Sequence, residues 1–179
     1  MRRSCPDPLH AARLIQLEIG VQSVNPDTIR EIRRTMDLER LERAVQKVRE
    51  GRNVHQHLDL IAGLPWEDLD SFGRSFDRVY AMRPDQLQLG FLKVLKGSRM
   101  EERKEAYGLL CRDTPPYEVL STRWLSYGDI LTLKGVEDMT ETYYNSGQFK
   151  AALALLERRE DSAFALYRSW RISTGDMAW

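Results

Sequence analysis

Cysteine is scarce. Only Cys5 and Cys111 occur in 179 residues. Two cysteines so far apart cannot form a disulfide framework, and they read as reduced thiols of a cytoplasmic protein. Histidine is limited to His10, His55 and His57, and no further histidine or acid cluster completes a metal site around the last two. Net charge is absent, with 27 Lys and Arg against 27 Asp and Glu. Such a chain has no global electrostatic pull toward nucleic acid or an anionic membrane. No apolar run approaches the roughly 20 residues that cross a bilayer. The opening Met1-Arg2-Arg3-Ser4-Cys5-Pro6 carries no apolar segment of the signal-peptide kind. Neither an internal repeat nor a low-complexity tract occurs.

The chain is long enough for one domain, or for one domain and an extension. A hydrophobic fraction of 42% suffices for a core. Three apolar, β-type runs end abruptly in polar or glycine residues. The first spans Arg13 to Ser23, the second Val54 to Ile61 and the third Gln86 to Val94. Between the first two, Asn25-Pro26-Asp27 is turn and cap chemistry. A short helix is predicted over Thr28 to Thr35 and a longer one over Leu38 to Glu50. In the longer one Leu38, Leu41, Ala44, Val45 and Val48 recur at helical spacing. Gly63-Leu64-Pro65 breaks the second run, and Asp68 can cap a helix over Leu69 to Met82. Strands that alternate with such helices imply parallel pairing and right-handed crossovers.

Composition changes after about Arg99. A charged helix is predicted over Glu101 to Tyr107, and Thr114-Pro115-Pro116-Tyr117 interrupts the chain. One amphipathic helix is predicted from Leu125 to Tyr144, with Ile130, Leu133, Val136 and Met139 inside. Two shorter ones follow, Phe149 to Glu157 and Ser162 to Trp170. The expected organisation is residues 1–98 as three β/α units and 99–179 as a mostly helical extension.

In parallel α/β folds ligands bind at the carboxyl ends of the strands. Gln22 and Ser23 end the first strand there, and Asp59 lies near the end of the second. Lys93, near the end of the third, reads as structural or solvent-facing. Arg34 closes the helix after Gln22. A carboxylate accepts from both hydroxyls of a ribose, and a guanidinium binds a carboxylate with two bonds. A backbone opened by Gly63 would let an adenine pack against Ile61. Gln22, Arg34, Asp59 and Ile61 thus suit a nucleoside that bears an amino acid.

The order Leu17-Glu18-Ile19-Gly20-Val21-Gln22-Ser23, Asn25-Pro26, Ile32-Arg33-Arg34 and Asp59-Leu60-Ile61-Ala62-Gly63-Leu64-Pro65-Trp66-Glu67 resembles the second half of the radical S-adenosylmethionine (SAM) core. It is most similar to the group that has an N-terminal cobalamin-binding domain. The resemblance implies strands four to six of a (β/α)6 partial barrel, followed by the helical extension found in some of these proteins. Gln22 and Arg34 would then hold the methionine carboxylate, Asp59 the ribose and Ile61 the adenine. Ser23 and Gly63 complete the implied cofactor-binding set.

The same family binds a 4Fe–4S cluster through Cys-x3-Cys-x2-Cys after its first strand and carries Gly-Gly-Glu after its second. Neither motif is in this chain. The chain is therefore expected to be the C-terminal part of a longer enzyme that holds SAM, the cluster and cobalamin, and to be inactive alone. Its expected partners are the N-terminal half of the barrel or a second copy, besides an unidentified small-molecule substrate. The alternative is a non-catalytic half-barrel that binds a partner. A third reading takes His55, His57 and Asp59, which alternate onto one strand face, as the start of a hydrolase metal site. The competing reading of that trio is a polar barrel interior. Glu67 reads as an acid at a helix N-terminus, and Cys111 as a buried small residue.

Overall fold

A computed structural model describes residues 15–175. Three parallel strands make the central sheet: β1 (Ile15–Gln22), β2 (Val54–Ala62) and β3 (Gln86–Phe91), with β2 in the middle. Between β1 and β2 lie α1 (Pro26–Glu31) and α2 (Leu38–Gly51), and between β2 and β3 lies α3 (Leu69–Ala81). Each helix begins where a side chain satisfies its free amides. Asn25 accepts from Asp27 N–H, Asp37 from Arg40 N–H and Asp68 from Ser71 N–H. α1 stops four residues short of the expected Thr35, and Arg33 enters the left-handed region at φ 56°.

Alternation divides the sheet into two faces. Leu58, Leu60 and Ala62 of β2, with Leu87, Leu89 and Phe91 of β3, are buried on the helix side. They meet Val45 of α2 and Phe72, Phe76 and Val79 of α3 in one core. The opposite face is polar. Register aligns Glu18, His57 and Gln86 in one row, and Gly20, Asp59 and Gln88 in the next.

The rest of the chain packs on this unit and shares its core. It comprises α4 (Arg99–Glu102), β4 (Leu110–Cys111), β5 (Val119–Ser121), α5 (Tyr127–Met139), α6 (Lys150–Leu156) and α7 (Ala163–Gly175). α7 seats Phe164 and Tyr167 against α3, where Gly73 leaves room for the Phe164 ring. Three expectations are corrected here. The charged helix is only α4, and an antiparallel β4–β5 pair follows it. Cys111, on β4, is half-buried rather than buried. The long amphipathic helix becomes a π-helical turn over Thr140–Asn145. At that change the buried Thr140 hydroxyl donates to Val136 C=O at 2.7 Å, a bond that competes with regular helix.

The widened turn puts Asn145 on the free edge of β3. Its Oδ1 accepts from Leu87 N–H and its Nδ2 donates to Leu87 C=O, both at 2.9 Å. One side chain thereby replaces a strand neighbour. Beyond Phe91 the tail extends the sheet. Val119 N–H donates to Leu92 C=O, Val94 N–H donates to Tyr117 C=O, and Lys93 bridges Glu118 antiparallel.

Candidate nucleoside site

Left-handed backbone occurs at non-glycine residues beyond the carboxyl ends of both β1 and β2. Gln22 has φ 68°, and Ser23 N–H closes a three-residue turn around it by donating to Val21 C=O at 2.9 Å. Left-handed backbone at a non-glycine residue costs about 1–3 kcal/mol and persists only where surrounding contacts enforce it. The register with β2 slips at the same point, between Gly20 and Gln22. Trp66, in the loop after β2, repeats the feature with φ 66°.

The turn aims Gln22 back along its own strand. A methyl group built on Gly20 would meet Arg34 Nη1 at 3.5 Å, Gln22 Nε2 at 3.7 Å and Arg34 Nη2 at 3.8 Å. Arg34 is anchored there by donating from Nη1 to Gly20 C=O at 2.6 Å. Asp59 is the register partner of Gly20 on β2. A groove of about 610 Å³ opens beside Gly20 and Arg34, walled by Ile19, Met36 and Leu41. Gln22 and Arg34 therefore meet at Gly20, a glycine outside the expected site set, with Asp59 beside it on the next strand. Its signal was present, since Gly20 interrupts an otherwise apolar strand, a common sign of close approach.

Asp59 is half-buried, and its Oδ1 has no hydrogen-bond partner. His57 Nε2 lies 3.5 Å from that oxygen, too far to bond it. Burial raises the Asp59 carboxyl above the usual carboxylate range, and Glu18 on β1 adds to this while His57 opposes it. That oxygen is enclosed, and Asp59 does not line the groove beside Gly20; a buried carboxylate oxygen without a hydrogen bond is uncommon. His55, His57 and Asp59 do share a strand, yet among the described residues no three His, Cys, Asp or Glu side chains group as metal ligands. His55 instead lines a separate cavity with Arg49, Tyr144 and Lys150 at the other end of β2.

Of the expected site residues Arg34 lines the groove, and Ser23 and Gly63 do not. Ser23 is fully buried, and its hydroxyl donates to Glu67 Oε1 at 2.6 Å. Gly63 has φ 89°, and a methyl group there would stand 2.6 Å from Val119 Cγ1. The space that would have opened the backbone to an adenine is filled by the tail. Ile61 stays half-buried on the polar face, in register with Gly90. Glu67 is the largest correction. It has no exposed surface, and its second oxygen has no partner. A helix-dipole acid would sit in water, whereas this one lies inside the junction of two loops.

Above the site the tail binds α1. Glu31 accepts from Arg99 Nη2 at 2.8 Å and from the Tyr107 hydroxyl. The Tyr107 bond, with Arg99 and Arg103 close by, holds the Glu31 carboxyl below its ordinary value despite partial burial. Trp66 packs against Trp124 of the tail, the rings tilted by 47° with centres 5.0 Å apart.

The chain is similar to several known proteins over part of its length. Oxygen-independent coproporphyrinogen III oxidase from Paracoccus denitrificans is 31% identical over 83 residues, which are 46% of this chain and 18% of that protein. The probable threonylcarbamoyladenosine tRNA methylthiotransferase of Pyrococcus abyssi is 28% identical over 98 residues, 54% of this chain and 23% of that protein. Among solved structures, coproporphyrinogen III oxidase (HemN) from Escherichia coli, a radical SAM enzyme, superposes with a TM-score of 0.52 at 25% identity. That match covers 72% of this chain and 27% of HemN. The radical SAM methyltransferase TsrM from Kitasatospora setae, solved with cobalamin and a 4Fe–4S cluster, gives a TM-score of 0.46 at 16% identity, over 63% of this chain and 23% of that one. The chain thus spans about a quarter or less of the curated relatives it matches. Over part of its length the chain is similar to radical SAM proteins. Residues 105–171 match the family described as protein of unknown function (DUF4080). No helix among the described residues is long and apolar enough to cross a membrane.

Proposed function

We propose that this chain is the SAM-contacting second half of a radical SAM (β/α)6 partial barrel, with its tail covering the last strand. The observation that carries this reading is the convergence of Gln22 and Arg34 on Gly20, in register with Asp59. Arg34 and Gln22 would bind the methionine carboxylate, by charge and by amide donation. Asp59, half-buried on the next strand, would accept from the ribose hydroxyls. Ile61 would pack against the adenine.

When bound beside a reduced cluster, SAM supplies the one-electron chemistry of this class. The residues present do not fit the cluster itself. The chain has two cysteines, and the described residues hold no ligand group of three. Cluster and cobalamin would be held elsewhere in the complete protein, so no catalytic step is assigned to these residues.

The partner follows from the sheet. Among the described residues the outer edge of β1 pairs with no strand, and it exposes Ile15 and Leu17. The N-terminal half of the barrel would add its last strand there. The same edge favours a second reading, a non-catalytic half-barrel that binds a partner or a second copy.

Calorimetric titration with SAM tests the proposal, with a Gln22→Ala, Asp59→Ala double variant as control. Saturable binding that the variant loses is expected. A folded chain that binds no SAM would leave the half-barrel reading standing in its place.

A further inference from the structure

Glu67 links three elements through one oxygen. Oε1 accepts from Ser23 at 2.6 Å and from Ser75 of α3 at 2.9 Å. Each serine oxygen in turn accepts a backbone amide from the turn after β1. Asn25 N–H donates to Ser23 at 3.0 Å, and Val24 N–H donates to Ser75 at 3.1 Å. Two further bonds join the same segments. Asn25 Nδ2 donates to Trp66 C=O at 2.7 Å, and Thr28 Oγ1 donates to Pro65 C=O at 2.8 Å.

A carboxyl group buried without a bonded cation opposes folding unless its bonds compensate. Simple attachment of a loop needs no such group. What this one surrounds is the left-handed Gln22 turn, a conformation that must be enforced from outside.

We infer that Glu67 is a positioning residue. By holding Ser23 and Ser75 on one oxygen it fixes the Gln22 turn against the loop after β2, and so keeps Gln22 and Arg34 converged on Gly20. This rests on the proposed SAM site for its ligand and on the hydrogen bonds alone for its geometry.

Burial pushes the Glu67 carboxyl up to about 7, with Asp68 adding to the rise, while the two serine bonds and Arg74 pull it down. Both protonation states therefore occur near neutrality, and Oε1 accepts in either. Glutamine offers the same acceptor without the charge, so it should replace Glu67. Alanine should not.

The test compares Glu67→Gln, Glu67→Ala and Ser75→Ala in the full 179-residue chain. Amide hydrogen exchange at Val24 and Asn25 reads the turn, and calorimetric SAM affinity reads the site. The alanine variant should lose about tenfold or more in protection at both amides, and a similar factor in affinity. The glutamine variant should stay within about threefold of the parent on both counts. Should Glu67→Ala fail to fold, Ser75→Ala removes one of the two bonds and should lower protection at Val24 more than at Asn25. Unchanged protection in the alanine variant, or equal loss in alanine and glutamine variants, overturns the inference. If the parent chain binds no SAM, the ligand reading fails, and exchange at Val24 and Asn25 still decides the role of Glu67.

Discussion

The two edges of the central sheet are finished differently. At β3 the tail takes over part of the work of a further strand. Asn145 bonds both backbone groups of Leu87, residues 117–119 pair with 92–94, and Leu87 and Leu89 are only 1% and 3% exposed. At β1 nothing among the described residues does this. Ile15 is 58% exposed and Leu17 38%. Bare edges invite pairing, and proteins cover the ones they do not use. The tail thus walls one edge of the sheet, and under the proposed reading the β1 edge, bare among the described residues, is where the remaining barrel would attach. The proposed site lies on the bare side, around Gly20 of β1.

The largest effect should come from breaking the covered side at Gly63. Gly63→Ala places a methyl group 2.6 Å from Val119 Cγ1, on a backbone with φ 89°. Overpacking and left-handed strain together should cost about 3–4 kcal/mol, read as a lower urea midpoint. Unchanged stability would mean that residues 117–119 are not seated against the sheet end.

The bare side is secured by Glu67, and its signature is pH. The folded carboxyl sits at about 7 against an ordinary 4.5, so the folded state holds its proton more tightly than the unfolded chain does. Its contribution is fully present below pH 4.5 and is lost as pH rises through about 7. The span is worth up to about 3 kcal/mol. Urea unfolding at pH 5 and pH 8 should show the parent losing more stability than Glu67→Gln by roughly that amount. Parallel pH profiles would place the Glu67 carboxyl in an ordinary, solvated state.

Much of this contrast could be read from the chain, and the remainder has a physical reason for being hidden. The three parallel strands and α2 and α3 follow from periodicity and caps. Gln22 and Arg34 meet at Gly20, whose register partner is Asp59. The β4–β5 pair escaped notice because strands of two and three residues carry no alternation to read. The π-helical turn escaped because Thr140 and Asn145 look like ordinary helix polars until the edge of β3 is placed beside them. Ser23 and Glu67 stand 44 residues apart and bond inside the protein. Nothing local distinguishes a buried acid from one at an exposed helix start.

The third effect sharpens the covered edge. Asn145→Ala leaves Leu87 N–H and C=O without the side chain that satisfies them. The expected cost is about 2 kcal/mol, with faster exchange of the Leu87 amide. If that amide stays protected, another group covers β3, and Asn145 only marks the place.

The smallest stability effect belongs to the bare edge, and there the useful signal is association. Ile15→Lys with Leu17→Lys replaces two side chains already facing water. Folding stability should change by less than about 0.5 kcal/mol. Charge on an edge strand discourages pairing with another chain. Sedimentation velocity should therefore show less self-association in the double variant than in the parent, at equal stability. A large stability loss would mean that these residues are covered in solution. Equal association would mean that copies of the chain meet through another surface, and the β1 edge would then lose its claim as the place where the rest of the barrel joins.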